Sequence, residues 1–230
     1  MAAVVAKSTA SKKAPTKPER LPPVGVAPKD GILCLEGAWG EGFESRETIE
    51  PALRCLESFG LASIAHRDVA TREELQYYID RWLDPEDKAA AKYTMGMFAF
   101  HGAEGEIALG KELISLRELG KMIGRRAQRK VIYIGGCEVL GVEENELIDF
   151  CRVTGARGLV GYTKAVEFIE TIAFEVMLIR TTFGRVQFKP IYDNLTKEHP
   201  YWTKRLGLRM ATRSWASPRW RRSSARSMGR

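Results

Sequence analysis

Two residues in this chain combine a reactive side chain with a position that would present it. Cys137 follows Val131-Ile132-Tyr133-Ile134-Gly135-Gly136, and His101 follows an apolar run from Tyr93 to Phe100. A cysteine thiolate attacks carbonyl carbon readily, and a neighbouring imidazole can take the thiol proton and return one to the leaving group. The chemistry such a pair would perform is acyl transfer through a thioester. Glycines beside both residues leave room for a substrate backbone and let N–H groups point at a developing oxyanion. The backbone N–H groups of Gly102 and Cys137 are the expected donors. No third residue presents itself for a triad, so the expectation is a His-Cys dyad whose imidazole is oriented by a backbone carbonyl. Taken singly, His101 reads equally as a structural histidine and Cys137 as a small buried hydrophobe. Their joint position at the ends of two apolar runs is what points to catalysis.

For that pair to meet, both runs must be neighbouring strands of one parallel sheet, because ligands bind where the carboxyl ends of such strands converge. The pattern supplies the elements. Short strands are expected at Ile32 to Leu35, Leu61 to Ala65, Tyr93 to Phe100, Val131 to Ile134 and Gly158 to Val160, with a tight hairpin after His101. Helices are expected from Thr48 to Phe59, after the capping boxes Thr71-Arg72-Glu73-Glu74 and Ser115-Leu116-Arg117-Glu118, from Glu143 to Val153, and up to about Thr181. In the last of these, Val166, Ile169, Ala173, Val176 and Met177 form the expected inward stripe. Alternating strands and helices with short links predict an α/β fold, a mainly parallel sheet with helices on both faces. Beyond Gly184, Val186 to Phe188 reads as a strand and Asn194 to Leu208 as a partial helix.

Charge divides the chain. Residues 1–30 carry six Lys or Arg against two acids, and residues 201–230 carry nine with no acid; since the total is +7, residues 31–200 hold a net −6. A fold built to dock nucleic acid would be expected to carry its basic groups on the folded face, which this body does not. The carboxyl-terminal tail, with Trp215 and Trp220 among arginines, is the segment suited to nucleic acid or an acidic surface. Four cysteines without a CxxC pair fit reduced thiols in a cytoplasmic compartment. No apolar run reaches transmembrane length, and the start lacks a signal-peptide core. No cofactor or metal is expected; His66 with Asp68 is too sparse for a site. The expected organisation is a basic, disordered arm at 1–30, the catalytic domain at 31–182, an extension packed on it at 183–212, and a disordered basic tail at 213–230.

Three segments resemble the clan of caspase-like cysteine peptidases, which includes caspases, metacaspases and separases, and come closest to the bacterial modules found beside repeat domains. Phe98 to Gly110, an apolar strand followed by His-Gly and a glycine-punctuated hairpin, resembles the histidine motif. Val131 to Cys137 resembles the nucleophile motif, with Gly136 where alanine is commoner. Gly155-Ala156-Arg157-Gly158-Leu159-Val160-Gly161 resembles the strand after the nucleophile helix. The resemblance implies a three-layer caspase-like fold with the catalytic residues on adjacent central strands, Cys137 as nucleophile, His101 as base, and Gly102 with Cys137 as oxyanion hole. It implies a thiol endopeptidase acting on protein or peptide, of a type that can require a protein activator. An amidohydrolase or acyl transferase on the same site, and a non-catalytic interaction protein on the same scaffold, are the alternatives. An acid in the specificity pocket would favour Arg or Lys in the substrate; Glu36, Glu41, Glu104, Glu138, Glu167 and Asp193 are the loop acids in question, Glu138 first because it follows the nucleophile.

Overall fold

The computed structural model describes residues 30–220 apart from 41, 43 and 186. The expected amino-terminal arm, Asp30 excepted, and residues 221–230 lie outside the described residues. In chain order the elements are β1 (Gly31–Glu36), α1 (Glu50–Ser58), β2 (Ser63–Asp68), α2 (Arg72–Trp82), α3 (Lys88–Ala91), β3 (Tyr93–Ala99), β4 (His101–Ala103), β5 (Glu106–Leu109), β6 (Glu112–Ser115), α4 (Leu116–Ile123) and β7 (Val131–Ile134). They continue with α5 (Glu144–Thr154), β8 (Gly158–Tyr162), α6 (Phe168–Thr182), α7 (Phe188–Glu198), α8 (Pro200–Leu206) and β9 (Leu208–Ala211). The architecture is mixed α/β: six strands in the order β2-β1-β3-β7-β8-β9 form a sheet flanked by helices. Every pairing in it is parallel except β8 with β9.

Why these residues make these elements follows from the pleat and the caps. Ile32 and Cys34 of β1 face one side, Leu33 and Leu35 the other, as the two-residue strand period demands. One apolar core joins Leu33, Leu35, Phe98 and Ile132 to the inward faces of α2, α4 and α5. The second joins Ile32, Cys34, Met97 and Tyr133 to α1, α6, α7 and α8. Thr71 and Ser115 close reciprocal capping boxes with Glu74 and Glu118 and so fix the starts of α2 and α4. Immediately after β3 the chain turns into a separate three-stranded antiparallel sheet, β4-β5-β6, larger than the expected hairpin.

The carboxyl-terminal third departs most from expectation. Phe188, expected to end a strand, opens α7, and its buried ring packs in the second core. The partial helix expected over 194–208 resolves into the end of α7, then α8 and β9, the last a member of the main sheet. Residues 213–220, assigned by charge to a solvated tail, pack on the body. Ala216 and Ser217 are buried, Ser217 N–H donates to Met210 O at 2.8 Å, Trp215 stacks edge-on to Tyr192, and Arg219 pairs with Glu104 at 2.8 Å. Arginines misled here because their long aliphatic stems cover apolar surface while their heads reach carboxylates. The stripe on α6 is also rotated: Phe174, Glu175, Leu178 and Ile179 are buried, while Ile169 is 66% exposed. That helix is apolar over most of its circumference, so periodicity alone does not fix its phase.

Candidate active site

β3 and β7 are adjacent, with Met95 opposite Val131 and Phe98 opposite Ile134, so the segments that follow them emerge side by side at the carboxyl edge of the sheet. His101 and Cys137 occupy those segments. Both line one cavity of about 140 Å³, together with Trp39, Val166, Phe168 and Glu175. No hydrogen bond joins the His101 ring to Cys137 Sγ among the described residues. Instead Val166 N–H donates to Sγ at 3.5 Å and the thiol reaches Val166 O at 3.6 Å. The N–H contact holds the sulfur at the cavity wall.

The imidazole has its own tether. His101 Nε2 lies 2.8 Å from Trp39 O. A carbonyl oxygen can only accept, so Nε2 carries the proton and Nδ1 keeps the lone pair in the neutral ring. The Trp39 indole meets the ring edge-on at 5.1 Å and Phe168 at 5.3 Å. Trp39 is fixed in turn by Glu36, whose carboxylate accepts from the indole N–H, from Thr48 Oγ1 at 2.6 Å, from Ile49 N–H at 2.8 Å and from His66 Nε2 at 2.5 Å. Burial pushes the Glu36 carboxyl up, yet hydrogen bonds from His66, Thr48, Trp39 and Ile49 outweigh it and hold the group below its usual range. The same hydrogen bond raises His66.

Asp68 completes a group with Glu36 and His66 whose ligand atoms all lie within 4.8 Å of one another. Both Glu36 oxygens are already engaged by four donors, so the hydrogen-bonded pair of Glu36 and His66 braces Trp39, and Asp68 stands exposed beside it. The cluster borders a second, more open cavity of about 530 Å³. Sequence reading missed the cluster because Glu36 and His66 are 30 residues apart and meet only through the β1–β2 register, which sets Cys34 against His66 and Glu36 against Asp68.

Glycine has a different use here from the one expected. A Cβ on Gly102 would lie 2.3 Å from Val139 Cγ2 and 2.9 Å from Cys137 O, and one on Gly136 would lie 2.8 Å from Phe100 O. The space beside each is filled by the other strand's loop, not held open for substrate. Gly102→Ala should therefore destabilise the fold by roughly 1–3 kcal/mol through overpacking and displace the Cys137 segment. Urea denaturation measures the first effect and thiol labelling the second. Arg209 of β9 braces the same segment from below, with Nη1 donating to Leu140 O at 3.2 Å and Val142 O at 2.8 Å.

Among the cysteines, burial separates candidates from bystanders. It raises the Cys34 thiol well above its usual value and pushes Cys151 up to about 12. Cys55 is exposed on α1, and Cys137 is half-buried. The acids suggested for a specificity pocket lie elsewhere. Glu104 pairs with Arg219 and Asp193 with Lys189, Glu167 caps α6, Glu36 is saturated, and Glu138 adopts a left-handed backbone (φ 58°) outside the cavity lining. Glu41 lies outside the described residues. The carboxylates that do line the cavity are Glu47 and Glu175. Glu175 is fully buried; Tyr133 Oη donates to its Oε1 at 2.5 Å, while Oε2 has no hydrogen-bond partner among the described residues. Burial raises its pKa to about 7, against the lowering effect of the Tyr133 bond.

A family model described as a family of unknown function, DUF6642, matches residues 29–211. The chain belongs to the DUF6642 family. No curated protein matches it. The matched span of this DUF6642 chain contains every residue that lines the Cys137 cavity, from Trp39 to Glu175. No helix among the described residues is long and apolar enough to cross a membrane.

Proposed function

We propose that this DUF6642 chain is a cysteine-dependent endopeptidase of caspase-like fold. The reading is carried by one observation: Cys137 and His101, delivered by adjacent parallel strands, line the same cavity. Support comes also from the adjacency of β3 and β7, which is what the resemblance implies for the catalytic strands, and from the Trp39 carbonyl tether on the imidazole.

In this mechanism His101 Nδ1 takes the thiol proton as Sγ bonds to the scissile carbonyl carbon. The oxyanion is held by the N–H groups of Gly102 and Cys137. Collapse breaks the C–N bond, and the amine leaves with the proton from His101. Water, deprotonated by the same nitrogen, then hydrolyses the thioester and restores the thiol. The cavity favours a basic substrate side chain, because its titratable lining among the described residues is Glu47, Glu175 and the dyad, with no Lys or Arg. An apolar wall of Trp39, Val166 and Phe168 suits the aliphatic stem of Lys or Arg, and Glu175 Oε2 awaits a donor.

The test is a positional-scanning peptide library combined with an electrophilic thiol probe mapped by mass spectrometry. Accessibility alone would label the exposed Cys55 fastest. Activation predicts that Cys137 reacts at least about tenfold faster than Cys55, and that cleavage follows Lys or Arg. Labelling of Cys55 ahead of Cys137, with no peptide cleaved, would leave an interaction protein on this scaffold as the better account. Release of a small amide or transfer of an acyl group without peptide cleavage would move the same dyad to amidohydrolase or transferase chemistry.

A further inference from the structure

At the opposite edge of the sheet, before β7 and β8 begin, five arginines from three separate segments surround one cavity of about 420 Å³: Arg125 and Arg129, Arg152 and Arg157, and Arg213. Among the described residues no carboxylate lines it. Such a concentration is unexpected in a body whose residues 31–200 carry a net −6. Two of the five have ordinary explanations. Arg125 follows α4 and Arg152 lies in the last turn of α5, and cations are favoured at helix carboxyl termini. Arg152 also pairs with Asp149 at 3.1 Å. Arg129, Arg157 and Arg213 have no such account.

The cavity is built rather than incidental. Its rim loops are locked to each other by backbone hydrogen bonds: Ala127 N–H to Thr154 O at 3.0 Å, Arg157 N–H to Lys130 O at 2.8 Å, and the bridge of Gln128 with Ala156. Arg152 Nε ties the third segment by donating to Arg213 O at 3.0 Å. Arg129 takes the left-handed backbone (φ 64°), a conformation disfavoured for a side chain of this size, at the tip of its loop. Arg157 Nε is buried without a hydrogen-bond partner among the described residues. A buried unpaired donor on a charged group is costly, and like charges gathered around one concavity repel. A bound anion relieves both.

We infer that the cavity framed by Arg125, Arg129, Arg152, Arg157 and Arg213 binds a compact polyanion, a small molecule carrying two or more adjacent phosphate groups. Guanidinium forks match phosphate oxygens in bidentate fashion, and several phosphates are needed to engage guanidiniums converging from three segments. The volume falls in the range of small-ligand sites. A nucleic acid strand is the less suited occupant, because it asks for a basic track across the surface, whereas α5 leads away from the cavity through Asp149, Glu146, Glu144 and Glu143.

Isothermal titration of the full chain with inorganic tripolyphosphate tests this. The expected result is one equivalent bound, with affinity falling as NaCl rises. Arg157→Gln, and separately the exposed pair Arg129→Gln with Arg213→Gln, should each weaken binding roughly tenfold or more. Arg81→Gln on α2 should leave it unchanged. The double variant alters only exposed side chains, so the test survives should Arg157→Gln fail to fold. The inference is overturned by absence of binding, or by undiminished binding in the double variant. A single-stranded oligonucleotide that binds more tightly than tripolyphosphate and loses the same tenfold would overturn the small-molecule assignment. None of these outcomes depends on Cys137.

Discussion

On the proposed peptidase reading, Cys137→Ala is expected to bring peptide cleavage down to background, a loss on the order of 10⁴-fold or more in kcat/KM, with little change in stability. Removing a nucleophile eliminates the covalent route and leaves only what binding and the oxyanion donors provide. The other thiols cannot stand in: burial keeps Cys34 and Cys151 protonated, and Cys55 projects from α1 outside the cavity lining. The small stability effect follows from what Sγ touches, which is the Val166 backbone at 3.5 and 3.6 Å. Sulfur hydrogen bonds of that length contribute little, and an unchanged denaturation midpoint would tie the lost activity to chemistry and not to folding. Turnover on the best fluorogenic peptide is the measurement, and undiminished turnover in the alanine variant removes Cys137 from the mechanism.

The companion variant separates the two roles. His101→Ala should cost about 10²–10⁴-fold, less than Cys137→Ala, because general acid-base assistance is lost while the thiol remains. A structural histidine would instead reveal itself in stability, and His101 is an exposed side chain whose polar tether among the described residues is the 2.8 Å contact to Trp39 O. An equal fall in both variants would mean that the imidazole and thiol act only as a unit.

What the chain disclosed as text, and what it hid, follows the range of the interactions involved. Thr71 and Ser115 advertise their helix starts because a capping box is complete within four residues. Val131 to Ile134 reads as a strand because both faces are buried and nothing polar interrupts it. The strand-end positions of His101 and Cys137 were legible for the same reason, as each apolar run stops at a glycine-flanked reactive residue. The bracing of the site was not. Glu36 looks like a loop acid until the β1–β2 register brings His66 to it, and Arg209 looks like one more basic residue of the tail until β9 places it under the Cys137 segment. Five arginines spread over 125–213 likewise show no cluster in sequence. Glu175 was hidden by the ambiguous phase of α6: on the stripe read from Val166 and Ile169 it points away from the core, whereas the packed helix turns it inward beside Phe174 and Leu178.

That rotation makes Glu175 the source of the second large effect, a fall in stability as pH rises. Its carboxyl is raised from 4.5 to about 7 chiefly by burial and further by the negative charge of Glu36, against the hydrogen bond that Tyr133 donates to Oε1; Tyr162 is bonded to Tyr133 at 2.8 Å. Both phenols are held well above their ordinary values, so neither titrates in this range. Between pH 4.5 and 7 the folded chain holds a proton on Glu175 that the unfolded chain has released. Stability therefore declines through that window and levels off above it. The gap corresponds to roughly 3 kcal/mol. His66, raised by Glu36, contributes in the same direction, its share being full below about 6.5 and lost as pH climbs through the folded value. Glu36 acts oppositely, its lowered carboxyl costing stability only as pH falls below the ordinary carboxylate range. Subtraction isolates Glu175: denaturation midpoints of the wild type should drop steeply from pH 5 to pH 8, and Glu175→Gln, whose amide does not ionise, should retain only the shallower His66 slope. Parallel slopes in the two proteins would mean that Glu175 is not titrating in the fold. A basic peptide bound in the cavity gives the complementary result, since a cation beside Oε2 favours the carboxylate and should restore at pH 8 much of the stability that burial removes.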